Sequence, residues 1–438
     1  MKNWLVRIFA LITLALALAC APTTQPAPDG TSPGVPTSET NIGGTVRVLG
    51  VWGGPELDSF KAVVQPFTAQ TGIQMEFEST RDLDAVLTTR VQGNNPPDIA
   101  ILPNPAKMQE LAKSGKLVAM GSYLDSSMLQ RNYAKSWVDL GSLDGKLYGL
   151  FFKAANKSTI WYNPEAFKDA GLSVPKTWDE LMALDKKLVD SGKTPWSIGV
   201  DVGWPITDWI ENILLRTGGP EVYDQWVSHK IKWTDPEVKK AFETFSQITG
   251  NSKNLLGGNQ GAVATKFQDA IFPLYQDPPK AYLYYEGDFM QQFIKDQFPA
   301  LKAGEDYAFF AFPPIDSKYG TPVVGGADVV VAFKDTPQVQ AFVKYLSTPE
   351  AATVWVKRGG FTSPNKGVSL DAYPDALSRT SAQILSSAEV FRFDGSDLMP
   401  PALGSDAFFK QMQRYMADPT MIDQVLADLE QAASGAYR

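Results

Sequence analysis

The chain has 438 residues, enough for two ordinary domains once any tail is removed, and 44% hydrophobic with 20% charged residues is a soluble globular balance. Its formal net charge is -8 and it has no Lys/Arg block, so nothing in it recruits a phosphate backbone and nucleic acid is not an expected partner. One histidine and one cysteine exclude a His-rich zinc site and an internal disulfide.

Lys2 and Arg7 precede an apolar run, Ile8 to Ala19, that is too short to span a bilayer comfortably and ends in small residues. Residues 1–20 therefore read as a secretory signal. Leu16-Ala17-Leu18-Ala19-Cys20 resembles a bacterial lipobox, with Ala17 standing where Leu is usual. Cys20 is expected to carry the lipid of a mature N-terminus. Residues 21–43 are rich in Pro, Ser and Thr and read as a disordered linker with nothing to bury. The expectation is a body secreted across the cytoplasmic membrane and held on its outer face by a lipid anchor only.

From Gly44 strand and helix alternate. Val46–Val51 reads as a strand, and Pro55–Thr71 as a helix with Leu57, Phe60, Val63, Val64 and Phe67 on one face and Gly72 closing it. Ile73, Met75 and Phe77 mark a second strand, Leu83 to Val91 a second helix, and Asp98–Leu102 a short buried strand before a helix through Met108 and Leu111. Asp98 itself is expected to be structural. A second series follows: a strand at Thr159–Tyr162, a helix opened by Asn163-Pro164-Glu165, a capping box at Thr177–Glu180, and a strand at Trp196–Val200. His229 is expected at a solvated helix end, and the glycine-rich Gly257–Gly261 as a loop, since it lacks the Lys-Ser/Thr of a phosphate loop. Strands at Tyr307–Phe312 and Asp328–Phe333 precede helices at Pro337–Leu346 and Pro349–Val356. This pattern implies α/β architecture with a mainly parallel sheet.

Several ordered segments carry a resemblance: the opening strand ending in Trp52, Phe67–Ile73, Asn95–Ile99, Gly145–Leu150, Ile160–Asn163 and Val174–Leu181. In these the chain resembles the extracellular solute-binding proteins of family 1, the maltose-binding-protein group, and most closely its α-glucoside-binding branch. The resemblance runs from Gly44 to the C-terminus. It implies a two-lobed α/β periplasmic-binding-protein fold of type II, with interleaved lobes joined by three crossing segments near Phe151–Ala154, Tyr307–Phe312 and Gly360–Pro364. Lobe 1 would be residues 44–153 completed by 311–359, and lobe 2 residues 154–310 completed by 360–438. It also implies a monomeric receptor that passes its ligand to the permease subunits of an ABC importer, without cofactor or metal.

Sugars need flat aromatics and groups that satisfy many hydroxyls, and open α/β sheets bind ligands in loops after strands. Trp52, Gly53 and Glu56 follow the first strand. Asn104 follows the Asp98–Leu102 strand, although the resemblance implies a more polar loop there. Trp204 is the expected stacking platform, with Asp208 as hydroxyl acceptor, while Trp209 is equally a core residue. Glu286 and Phe289 are expected contacts from the other side. Gly326 and Asp328 should bring backbone near the cleft, and Phe361 lies at the third crossing beside Arg358. Gly404–Phe409 resembles a loop that supplies aromatics in relatives. Two other readings stand beside a sugar receptor. One is a secreted glycoside hydrolase, since many of the 48 acidic residues could pair. The other is the same receptor with a non-sugar ligand.

Overall fold

The computed structural model describes residues 42–438; the expected signal segment, Cys20 and the linker up to residue 41 lie outside the described residues. The fixed body starts two residues earlier than expected. The N–H groups of Ile42 and Gly43 both donate to the Thr71 carbonyl, and Gln338 Nε2 donates to the Gly43 carbonyl.

The first lobe opens with β1 (Thr45–Gly50), α1 (Pro55–Thr71), β2 (Gln74–Ser79), α2 (Leu83–Gln92), β3 (Ile99–Leu102) and α3 (Pro105–Lys113). Pro55 in the first turn, Glu56 and Asp58 at the positive end of the helix, and Gly72 at the C-cap fix the bounds of α1. Asp98 accepts from the Arg47 N–H and pairs with Lys334 at 2.6 Å, the structural role expected of it. Two short helices, α4 (Ser126–Asn132) and α5 (Lys135–Leu140), and a hairpin of β4 (Ser142–Leu143) and β5 (Lys146–Leu147) lead into β6 (Gly149–Asn156). All eight residues of β6 are buried.

The chain then enters the second lobe with β7 (Thr159–Tyr162), α6 (Pro164–Asp169) and α7 (Trp178–Asp190). Helices α8 (Trp204–Thr217), α9 (Gly219–Val227), α10 (Pro236–Thr249) and α11 (Gly258–Ala264) follow, then β8 (Leu283–Tyr285), α12 (Met290–Gln297) and β9 (Ala308–Ala311). β7 is the middle strand, antiparallel to both β8 and β9. β10 (Val323–Ala332) returns to the first sheet and is followed by α13 (Pro337–Leu346), α14 (Pro349–Val356), α15 (Ala376–Ser387) and β11 (Phe391–Phe393). The last elements are α16 (Gly395–Leu398), a π-helical turn at Ala402–Ala407, α17 (Phe408–Ala417) and α18 (Ile422–Ala436).

The six-stranded first sheet is parallel through β2, β1 and β3, and antiparallel where β10 meets β3 and β6. Its side chains alternate between two cores: Val330 and Ala332 face Phe60, Phe342 and Trp355, while Val329 and Val331 face Leu87, Met108 and Phe151. In the second lobe α7, α8, α10, α17 and α18 bury their apolar stripes around Trp209, Phe245 and Tyr415.

Four local expectations are corrected. The passage after Gly360 does not go directly to the second lobe: Phe361, Tyr373 and Ala382 join the first-lobe core, and β11 pairs with Val323–Gly325. β3 covers only Val329–Ala332 of β10, so the open N-terminal edge of that strand needs a partner, and β11 supplies it. The third crossing therefore lies after β11. Trp196–Val200 is reduced to a single bridging residue, Trp196, and further along Gly199 runs against the Lys266 carbonyl, where a Cβ would meet oxygen at 2.7 Å. Gly257–Gly261 is not a loop; it starts α11, tied down by Asn259 Nδ2 donating to the Thr249 carbonyl and by buried Ala262. His229 is not solvated: it stacks on Tyr437 and lies 3.2 Å from Glu430.

Candidate functional site

Charged and aromatic groups converge where the lobes meet. From the first lobe come Glu56 in the first turn of α1, Lys153 on β6 and Asp328 on β10. Lys153 Nζ lies 2.5 Å from Glu56 Oε1, and 5.9, 5.6 and 5.4 Å from the ring centres of Trp52, Phe289 and Trp355. Trp52 Nε1 donates to Asp328 Oδ2 at 3.1 Å. From the second lobe come Trp204 and Asp208 in the first turns of α8, and Glu286 and Phe289 between β8 and α12. Trp204 and Phe289 are half-buried, with ring centres 6.1 Å apart.

Lys157, between β6 and β7, links the two sides. Its ammonium lies 3.1 Å from Asp208 Oδ2, pairs with Asp394, and sits 4.8 Å from the Trp204 ring centre. Gly326 makes room for it, since a Cβ there would lie 3.1 Å from Lys157 Cε. Glu211, one turn after Asp208, accepts from the N–H groups of Gly395 and Ser396. Asp288 accepts from the hydroxyls of Thr362 and Ser381, joining the second lobe to the segment after α14.

So many carboxyl groups cannot all ionise out of water. Burial pushes Asp208 and Glu211 well above the usual carboxylate range and Glu286 up to about 8; neighbouring acids reinforce the shift, and Lys157 opposes it. Asp394 resists burial because Lys157 and several hydrogen bonds favour its charged form, and it falls to about 2. Burial disfavours the Lys157 ammonium, but Asp208 and Asp394 outweigh it and hold the lysine charged. The cluster is centred on the Lys157 ammonium, held between Asp208 and Asp394, with Glu211 and Glu286 beside them. Carboxyl groups of this kind suit hydroxyl groups, which both donate and accept hydrogen bonds. Glu286 Oε2 and Asn156 Nδ2 are buried without a hydrogen-bond partner among the described residues, whereas Asp208 Oδ2 has the Lys157 ammonium beside it.

Oxygens of Asp208, Glu211 and Asp394 lie within 4.8 Å of one another, a spacing that could hold a cation. The Lys157 ammonium already pairs with two of these carboxyl groups, and backbone N–H groups hold the third. Donors stand where a metal needs lone pairs, so the donor set does not fit one.

Of the expected residues, the structure brings together Glu56, Trp204, Asp208, Glu286, Phe289, Gly326 and Asp328. Trp52 is 1% exposed and packs against Phe60, Phe77 and Trp355, so it supports Asp328 from the core and offers no free stacking surface. Phe361 likewise packs on Phe152 and Trp355 in the first-lobe core. Gly53 is a half-buried turn residue near Ser79. Asn104 caps α3, accepting from the Lys107 N–H, and its Nδ2 donates to Ser405 Oγ at 2.9 Å, which ties the lobes together. Ser405 lies in the expected Gly404–Phe409 segment; Phe408 there is core. Arg358 donates to Ser59 Oγ. Sequence reasoning missed Lys153, Lys157, Glu211, Asp288 and Asp394. A usable signal was α8 itself, an apolar helix with Asp208, Glu211, Asn212 and Arg216 at helical spacing.

Residues 53–353 match the family of bacterial extracellular solute-binding proteins. The chain is 38% identical to the osmoprotective compounds-binding protein GgtB of Synechocystis sp., over 98% of this chain and 99% of that one. It is also 38% identical to the alpha-glucosides-binding periplasmic protein AglE of Rhizobium meliloti, over 89% and 87%. Among solved structures, the bacterial solute receptor AcbH, described as preferring β-D-galactopyranose, superimposes with a TM-score of 0.79 at 20% identity, covering 90% of this chain and all of the other. A raffinose complex of the solute-binding protein RafE gives 0.73 at 18% identity, with the same coverage. These likenesses show the type II two-lobed fold.

Proposed function

Because this chain belongs to the bacterial extracellular solute-binding proteins, we propose that it is the substrate receptor of an ABC importer, taking an α-glucoside or short oligosaccharide between its lobes without turning it over. The observation that carries the reading is the pairing of a half-buried aromatic surface, Trp204 with Phe289, and an unpartnered buried oxygen on Glu286. A sugar offers C–H faces to the first and hydroxyls to the second. The name of one relative, an alpha-glucosides-binding protein, favours a glucoside ligand. Hydrolysis would need an acid and a base facing a bond from opposite sides, whereas Asp208 and Asp394 are both engaged by Lys157. The receptor is monomeric, and lipid on Cys20 keeps it at the outer face of the membrane beside its permease. Calorimetry with maltose, trehalose, sucrose and raffinose tests the ligand class, and saturable binding of at least one, recovered intact after prolonged incubation, is expected. Saturation by none of them would discard the glucoside reading, and reproducible product formation would restore the hydrolase.

A further inference from the structure

Asp84, in the first turn of α2, and Asp397, on α16, reach the junction of the lobes from opposite sides. Both are half-buried, and neither makes a hydrogen bond or an ion pair among the described residues. The carboxyl groups beside them differ in this: Glu56 and Asp208 pair with lysines, and Asp328 accepts from Trp52. α16 packs on α8 and α9 of the second lobe and also on α3 of the first. The hydrogen bond from Asn104 to Ser405 crosses the same junction.

The surroundings of Asp397 are acidic. Asp394, Asp328 and Asp84 all disfavour its charge; Lys157 favours it, but that ammonium is already held between Asp208 and Asp394. On the elements packed against α16 the charged groups have partners of their own. Lys107 of α3 pairs with Glu110, and Glu211 of α8 accepts from the N–H groups of Gly395 and Ser396. Asp224 of α9 pairs with Arg392 of β11, and Asp406 of the π-helical turn pairs with Lys410. Asp84 has Lys107 in its favour and Glu110 against it.

We propose that Asp84 and Asp397 form a like-charge gate, whose repulsion across the junction holds the empty receptor open. Two carboxylates brought together out of water repel more strongly than they do in solvent. Parting the lobes separates them and restores their hydration. Closing the lobes either sets the two charges against each other or takes up a proton. In the compact arrangement burial and the neighbouring acids hold Asp397 well above the usual carboxylate range, and burial raises Asp84 as well. A group with a higher pKa in the compact form binds a proton on closing, so acid favours the compact form. The Asn104–Ser405 bond acts in the closing direction, and ligand contacts across the cleft add to it.

The test is small-angle scattering of the full chain without sugar, which keeps it apart from the identity of the ligand. The radius of gyration should fall as pH drops from about 8 to about 5, a range above the ordinary carboxylate value. The double variant Asp84→Asn/Asp397→Asn should already have the smaller radius at the upper end of that range and should change little with pH. Each single variant, one on each lobe, should show part of the same decrease, so either decides alone if the other does not fold. Asp179→Asn, an exposed change in the first turn of α7, should follow the native profile. A native radius that is constant over the range overturns the gate. So do variants that keep the native radius at the upper end, and so does an equal shift in Asp179→Asn, which would assign the effect to overall charge.

Discussion

Truncating Trp204 to alanine removes a half-buried ring that abuts Phe289 and lies under the Lys157 ammonium. Sugar affinity should fall by about 1–3 kcal/mol, the range of a well-packed aromatic anchor, with little change in Tm. Trp52→Ala should behave in the opposite way, because that ring is enclosed by Phe60, Phe77 and Trp355. A stability loss of about 3–5 kcal/mol is expected by denaturant titration. Equal affinity losses with an unchanged midpoint in both variants would contradict this division. The two tryptophans look alike in sequence, each following a strand before a helix. Burial separates them, and burial depends on partners such as Trp355 that are distant in the chain. Lys153 and Lys157 were illegible for the same reason: a lysine near the end of an apolar strand reads as a solvated surface group until Glu56 is seen beside the first, and Asp208 and Asp394 beside the second.

At the scale of elements, caps and apolar stripes were legible because they are local. Thr177 caps α7 by accepting from the Glu180 N–H, and Thr348 caps α14 through Ala351, both as spaced in the sequence. What α7 buries was not legible. Asp185 on its inner face accepts from Trp196 Nε1, and burial pushes its pKa up to about 7, with the tryptophan hydrogen bond acting in the other direction. A folded pKa above the unfolded value of 3.8 means the folded chain holds a proton that the unfolded chain has released. The stability this contributes is fully present below pH 3.8 and is lost as pH rises through about 7. Asp185→Asn keeps an acceptor for Trp196 and removes the titration. The variant should therefore gain in Tm relative to the native chain as pH rises from about 5 to about 8. Parallel Tm profiles for the two proteins over that range would show that Asp185 is not desolvated as described.

At the scale of the whole molecule, two α/β units were legible from alternating periodicity, but their interleaving was legible only through family resemblance. Hydrophobic pattern gives each strand's faces and not its neighbours, so nothing in Phe391–Phe393 announces a place beside β10. A hinge between lobes gives sugar a mechanical effect. Micromolar affinity supplies about 8 kcal/mol, and moving an equilibrium from mostly open to mostly closed needs about 5.5 kcal/mol of preference. Sugar should therefore reduce the radius of gyration in small-angle scattering, and superimposable profiles at calorimetric saturation would exclude closure as the signal to a permease. Asn104→Ala, which removes the tie to Ser405, should weaken sugar binding about fivefold, as expected for one net hydrogen bond present only when the lobes touch. Cys20→Ser should move the mature protein from the membrane fraction to the soluble one; equal partitioning of both forms would dismiss the anchor. The placement of β10 has a further consequence, for the making of the protein. This strand joins β3 to β6, yet it is reached only after about three-quarters of the chain. A polypeptide emerging end first cannot complete its first sheet until Val323–Ala332 arrives, so its N-terminal half stays unlocked and threadable while export is under way.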